Sequence, residues 1–335
     1  MPTSSLALSL VKTLRSALGT AQWPRAILVL CAAMLGAAHA EEGGSGHYLP
    51  GAMASFVDAV PPEQTFIIRA NLIHYRGSVG KTQLLPIAGL TTAGAQAETT
   101  GLGLTAFWRP PVEIGPGWSY GMSATLPFLR TDLTADVSAQ GRMVSRSSST
   151  SGLGDLVLIP LMLNQAVNPD FNINYRVAVY APTGSYQVGR LTNTGKNFWT
   201  VEPTVGFVYF GQKNGREASV FIGADFNREN PATHYKSGTQ WHIDSTLAQH
   251  FPVQGGLAGV GLSAYYYQQI SGDSGGGARF GDFKAKTAGF GPVASIVTRI
   301  NGRELIAEFK WLHETGTANR LQGDILWLKV LYKFY

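Results

Sequence analysis

The stretch Glu304-Leu305-Ile306-Ala307-Glu308-Phe309-Lys310-Trp311 alternates residue by residue. Glu304, Glu308 and Lys310 share one parity, broken only by Ile306, while Leu305, Ala307, Phe309 and Trp311 take the other. A β-strand points successive side chains to opposite faces, so this segment has one mostly polar and one wholly apolar face. The same two-faced pattern returns at short intervals from Gln64 to Tyr335. A soluble sandwich also uses such strands. Here the connections alternate short and long and an export signal comes first, which together predict an all-β fold: a transmembrane antiparallel β-barrel.

Lys12, Arg15 and Arg25 precede an apolar run from Ala26 to Ala38, and Ala38-His39-Ala40 gives a small-x-small cleavage site. This is the layout of a secretory signal peptide over residues 1–40, its apolar core too short to span a bilayer as a helix. Cleavage removes three of 26 basic residues and none of the 21 acidic ones, so the net charge falls from +5 to +2. No basic stripe is left to engage nucleic acid. The single cysteine, Cys31, leaves with the signal, which excludes disulfides and thiolate chemistry. Charged residues are 14% of the chain, against about 25% in soluble domains, and no amphipathic helix of three turns is found. The expected address is the outer membrane of a Gram-negative bacterium.

Twelve strands are predicted over residues 64–335, most of them long enough to cross a membrane with a tilt. Connections after odd strands, such as 77–97, 131–151 and 183–198, are long and rich in Gly, Ser and Thr. Those after even strands are short, down to the two-residue signal Asn301-Gly302. Bacterial barrels have short periplasmic turns and longer outer loops, so an even count puts both termini in the periplasm. Parity predicts that Phe171, Ile173, Tyr175, Val177 and Val179 meet lipid, as do Ala218, Val220, Ile222, Ala224 and Phe226. Trp108, Trp118, Trp199, Trp241, Trp311 and Trp327 are expected in aromatic girdles. Chains of this kind commonly end on an aromatic residue read by the outer-membrane assembly machinery; Tyr335 fits, although Lys329 and Lys333 share its face.

Short motifs recur in order: Gly152-Leu-Gly-Asp155, Pro182-Thr-Gly184 with Tyr186, Gly195-Lys-Asn197-Phe-Trp199, Tyr235-Lys-Ser-Gly238, Gln268-Gln-Ile-Ser-Gly-Asp273, Gly291-Pro292 and Asn319-Arg320. In these the chain resembles the outer-membrane family named for the meta-cleavage pathway of phenol degradation, which includes SphA-type proteins. The resemblance implies a channel- or transporter-like barrel serving uptake of small hydrophobic or aromatic compounds. The motif residues Asp155, Pro182, Gly184, Asn197, Trp199 and Asp273 are expected at the outer rim, with a structural role weighed above ligand binding.

Catalytic signatures are missing. There is no Gly-x-Ser-x-Gly and no His-Glu-x-x-His, and Ser245 faces away from the His242/Asp244 pair. The reading is a non-enzyme without cofactor or metal, with a lipid-modifying barrel enzyme as the least favoured alternative and a general or ion-selective porin as the main one. The inward parity collects Arg69, Asn71, Asn172, Asn174, Arg176, Glu202, Asp225, Asn227, His242, Asp244, Glu304, Glu308 and Lys310. This set reads equally as the lining of a substrate path and as a network satisfying itself. On strand order, Arg69 is expected to approach Glu304 or Glu308. Residues 41–63, with a short apolar patch containing Asp58, read as a periplasmic segment or a partial plug.

Overall fold

The computed structural model describes residues 45–139, 142–278 and 284–335; the expected signal peptide at 1–40 lies outside them. Among the described residues, fourteen strands follow a short 3-10 turn, Phe56–Asp58. They are β1 (Thr65–Ser78), β2 (Leu84–Ile87), β3 (Leu90–Arg109), β4 (Trp118–Ala139), β5 (Arg142–Leu153), β6 (Leu156–Asn168) and β7 (Phe171–Ala181). Then come β8 (Thr200–Phe210), β9 (Arg216–Asn227), β10 (Gln240–Val253), β11 (Gly256–Gln269), β12 (Lys286–Ile300), β13 (Arg303–Ala318) and β14 (Gln322–Lys333). Twelve of them form the antiparallel wall, and β1 closes it on β14 from Ile67↔Lys333 to Ser78↔Gln322.

Two stretches expected as loops are strands instead. β2 pairs back on the start of β3, while β5 pairs with the upper half of β4, from Phe128↔Leu153 to Ala139↔Arg142. The lower half of β4 pairs with β6. The strand expected after the 131–151 connection is therefore interrupted at Gly154-Asp155 and belongs to two elements. β5 is exposed along most of its length on both faces, so it offers no apolar alternation to read. At the long-connection end, Leu85, Ile87 and Ala95 pack on Leu133, Ala135, Val137 and Leu191.

At the opposite end the turns are tight. Asn301 and Gly302 join β12 to β13 with φ of 53° and 76°, the paired positive values that a two-residue hairpin needs. The outer face of the wall is apolar: Leu247 and Leu262, each 65% exposed, sit directly opposite one another on β10 and β11. Phe290, Phe309, Trp311 and Leu328 continue it. Trp327 departs from the girdle expectation. It is buried on the inner face, where its indole N–H donates to the Pro50 carbonyl at 2.9 Å. Both faces of β14 carry apolar residues around it, so hydrophobicity alone does not mark its side.

Candidate functional site

Residues 45–60 lie inside the barrel, because they touch inward side chains from strands all around the wall, while Pro62 and Glu63 are exposed before β1. His47 meets Thr200 of β8, Tyr48 and Gly51 meet Asp244 of β10, and Phe56 meets Glu217 of β9. Asp58 meets Arg69 of β1 and Lys329 of β14, Arg176 of β7 donates to the Asp58 carbonyl, and Lys310 of β13 donates to that of Met53. The segment runs from the long-connection rim at Ser45 to the start of β1 at the short-turn end. Its fit is close: a Cβ added at Gly51, where φ is +75°, would lie 2.2 Å from Leu312 Cδ1.

One side of the bore is basic. Asp58 Oδ1 lies 3.0 Å from Arg69 NH1, and its Oδ2 lies 3.1 Å from Lys329 Nζ. Lys329 continues to Glu308 Oε1 at 3.1 Å, which also faces Lys310 Nζ at 3.6 Å. Arg176 lies apart from these cations, on β7 beside the acidic strands, where its guanidinium stands 4.8 Å over the Phe221 ring of β9. Arg69 thus finds its carboxylate on the inner segment, with Lys329 between it and Glu308; the direct Arg69–Glu308 approach is replaced by this relay. Glu304 stays nearer the short-turn end, opposite Arg299.

The other side is acidic. Glu202, Glu217, Asp225 and Asp244 project inward from three adjacent strands and are buried. His242 Nδ1 lies 3.2 Å from Asp244 Oδ2, and its Nε2 lies 3.3 Å from Glu202 Oε1. The imidazole crosses β9 over Gly223, where any Cβ would come within 2.5 Å of Nε2. Tyr180 and Thr204 hydroxyls donate to Glu202 at 2.6 and 3.0 Å. Tyr48 stacks on His242 with centroids 3.8 Å apart and donates its hydroxyl to Asp244. His250 Nε2 meets Glu217 at 2.8 Å. Glu202, Asp225 and His242 bring one ligand atom each within 4.8 Å of the others, a group that could hold a metal ion.

The remaining inward residues make local networks. Asn71 donates to Thr105 at 3.1 Å, Asn172 accepts from Asn164 at 3.0 Å, and Asn174 accepts from Arg176 at 2.8 Å. Asn227 accepts from Thr200 at 2.6 Å and donates to the Gly238 carbonyl at 3.1 Å. Lys329, Glu314, Tyr265 and Tyr267 also face inward and were not among the sequence candidates. Parity reaches each of them, but their neighbours on the same face include Leu312, Ile325 and Leu331, so the polar stripe is broken.

At the rim the recurrent motifs converge. Asp155, at the break between β5 and β6, accepts the backbone N–H of Gly184 at 2.9 Å and of Lys196 at 2.7 Å, and faces His47 Nε2 at 3.0 Å. Burial pushes its carboxyl up, but the His47 and amide hydrogen bonds outweigh that and hold it below the ordinary value of 3.8. Gly184 and Gly195 pack backbone to backbone; a Cβ on Gly184 would fall 2.6 Å from Gly195 Cα. Asn197, at a φ of 64°, donates to Asn230 at 2.7 Å. Asp273 repeats the device, accepting from the Gly238 N–H at 3.0 Å, from Gln269 at 2.8 Å and from the Tyr235 hydroxyl. Pro182 follows the end of β7, and Trp199, half exposed, precedes β8.

These features define a closed twelve-stranded antiparallel β-barrel with an apolar exterior and a charged bore occupied by its own N-terminal segment. The chain belongs to the family described as "Putative MetA-pathway of phenol degradation", which matches residues 78–330. It is similar in fold to the COG4313 outer membrane channel from Pseudomonas putida F1, with a TM-score of 0.65 and 16% identity over 84% of this chain and 100% of that one. The β domain of the Bordetella autotransporter BrkA aligns at a TM-score of 0.46 and 9% identity, over 81% of this chain and 100% of that one. No curated protein sequence matches the chain.

Proposed function

We propose that the protein is an outer-membrane channel that admits small hydrophobic or aromatic molecules, with the segment 45–60 as an internal plug. The observation that carries this reading is that segment, held within a closed barrel by contacts to seven of its strands. Opposite walls of the bore carry opposite charge, and the segment sits between them. Rings of Tyr180, Tyr265, Tyr267 and Phe221 stand among the charges; Tyr180 and Tyr267 stack on His47 and Tyr48 of the segment, so displacement of the segment would free faces on which an aromatic solute can stack. The family description and the fold shared with an outer membrane channel support the location and the class of cargo. The apolar outer face suits lipid, where an Arg or Lys at mid-depth costs about 2–4 kcal/mol.

Planar-bilayer recording tests the reading. The intact protein is expected to show small conductance, and a chain lacking residues 45–62 a several-fold larger one. Cells relying on the channel are expected to take up a supplied aromatic compound faster than cells without it. A large, steady conductance from the intact chain, unaffected by the deletion, points to the general or ion-selective porin instead.

A further inference from the structure

The acidic wall contains an arrangement that the channel reading does not use. Glu202 on β8, Asp225 on β9 and His242 on β10 belong to three consecutive strands, so no local sequence motif announces them. All three are buried, at 1%, 0% and 0% exposure. Each contributes an atom within 4.8 Å of the other two. Asp244 lies against His242 Nδ1 at 3.2 Å, which fixes the ring and turns Nε2 toward the two carboxylates. A carboxylate behind one imidazole nitrogen, with the other aimed into a group of oxygen ligands, is the usual outer-shell support of a metal-binding histidine. Tyr180 and Thr204 orient Glu202 in the same way.

A second observation points to a ligand. Gln240 is fully buried on the same inward face, directly opposite Asp225 across the β9/β10 pair and two residues from His242. Neither its amide oxygen nor its amide nitrogen has a hydrogen-bond partner, and His242 Nε2 makes no hydrogen bond despite its 3.3 Å approach to Glu202. Leaving a buried polar group unsatisfied costs about 1–3 kcal/mol, and such groups commonly mark a bound water or ion. Within the cluster, three carboxylates surround one imidazole. All four groups are at most 1% exposed. Buried charges of this kind are either paired or coordinate metals. Gly223 leaves the floor of the cluster open, since a Cβ there would lie 2.5 Å from Nε2.

We propose that Glu202, Asp225 and His242, joined by the side-chain oxygen of Gln240, bind one divalent transition-metal ion in the wall of the bore. The imidazole favours an ion such as Zn²⁺, Co²⁺ or Mn²⁺ over Ca²⁺ or Mg²⁺, which take oxygen ligands. Through the stack of Tyr48 on His242 and the Tyr48–Asp244 hydrogen bond, the ion adjoins the inner segment.

The test uses untagged, full-length protein folded in detergent, stripped with a chelator, and titrated with Co²⁺ while its visible absorption is followed. A saturable signal at a single equivalent, displaced by Zn²⁺, is expected. Glu202→Gln/Asp225→Asn is expected to abolish it, and His242→Gln serves if that pair fails to show heat-modifiable migration. Asp244→Asn, which removes the carboxylate that orients His242 and also accepts from Tyr48 and Gly51, is expected to weaken binding by about 10–100-fold. Glu229→Gln, at the exposed pair with His234, should change nothing. Absence of saturable binding in the micromolar range overturns the proposal and leaves His242 as an imidazolium held between carboxylates. Binding that survives both the Glu202/Asp225 and the His242 substitutions overturns it equally. Since the readout is binding to the folded barrel, it stands or fails independently of conductance.

Discussion

The basic and acidic walls of the bore hold the same N-terminal segment by opposite means. Toward the cations of β1, β7, β13 and β14 the segment turns acceptors: the Asp58 carboxylate and the carbonyls of Asp58 and Met53. Toward the carboxylates of β9 and β10 it turns donors: the Tyr48 hydroxyl and the N–H groups of Gly51 and Phe56. The polarity of the segment's turns and bends is thus matched to a field across the bore, and this match fixes its orientation. The walls differ in what would be lost. On the basic side a full charge of the segment is inserted between Arg69 and Lys329, whereas the acidic side receives only neutral donors.

The largest expected effect follows from that difference. Asp58→Ala removes the carboxylate that Arg69 meets and leaves Lys329 with Glu308, and breaking a buried ion pair in this way costs about 3–5 kcal/mol. Tyr48→Phe removes one hydrogen bond to a charged acceptor, a loss of about 1.5–3 kcal/mol. Denaturant titration of the folded barrel measures both. Equal losses would break the asymmetry between the walls. In bilayers, Asp58→Ala is also expected to open more often than Tyr48→Phe.

Thiol labelling sharpens the same comparison, since Lys310 is fully buried beneath the segment while Phe309 points outward. In a Cys31→Ser background, Lys310→Cys is expected to react with a water-soluble thiol reagent only when residues 45–62 are deleted. Phe309→Cys in detergent should react equally slowly with or without them. Reaction of Lys310→Cys at full rate in the intact chain would place the segment elsewhere.

At the rim the matching is steric. Gly184 and Gly195 touch through backbone atoms, with no flexible side chain to give way, so Gly184→Ala is expected to cost about 1–3 kcal/mol by overpacking. Gly189, whose added Cβ would meet nothing within 4 Å, provides the contrast in space, although its φ of 80° strains alanine there too. A Gly184→Ala loss no larger than that of Gly189→Ala would show that the Gly184/Gly195 contact yields without cost.

How legible these features were follows the range over which each is determined. Parity along single strands placed Arg69, Arg176, Asp225, His242, Asp244, Glu308 and Lys310 on one face, because period-two alternation is a local property. The closed twelve-strand count came from the same alternation and from the short turns. β5 escaped because a strand exposed on both faces has no alternation. Trp327 and Lys329 escaped because Ile325 and Leu331 share their inward face. The partnership of Asp58 with Arg69 and Lys329, like the meeting of Glu202, Asp225 and His242, depends on cross-barrel or three-strand register. The sequence text does not contain these distances. The rim falls between: the motifs around Asp155, Gly184 and Gly195 stand out as short patterns, but only the fold shows that they share one carboxylate.

That carboxylate gives the smallest expected effect. Asp155 is held below its ordinary value of 3.8, so its contribution is fully present above that pH and is lost as pH falls through the lower, folded-state value. Asp155→Asn forfeits the contribution at all pH values, because one amide oxygen cannot serve His47 and both backbone N–H groups. Melting midpoints of the folded barrel for the two proteins are therefore expected to differ by a constant amount from neutral pH down to about pH 4, and to converge below it. Other carboxylates titrate in the same range and lower both curves together, which is why the difference between the proteins is the informative quantity. A gap that widens between pH 7 and 5 would assign the titrating group to His47, because burial already disfavours its imidazolium and loss of Asp155 removes the carboxylate that favours it.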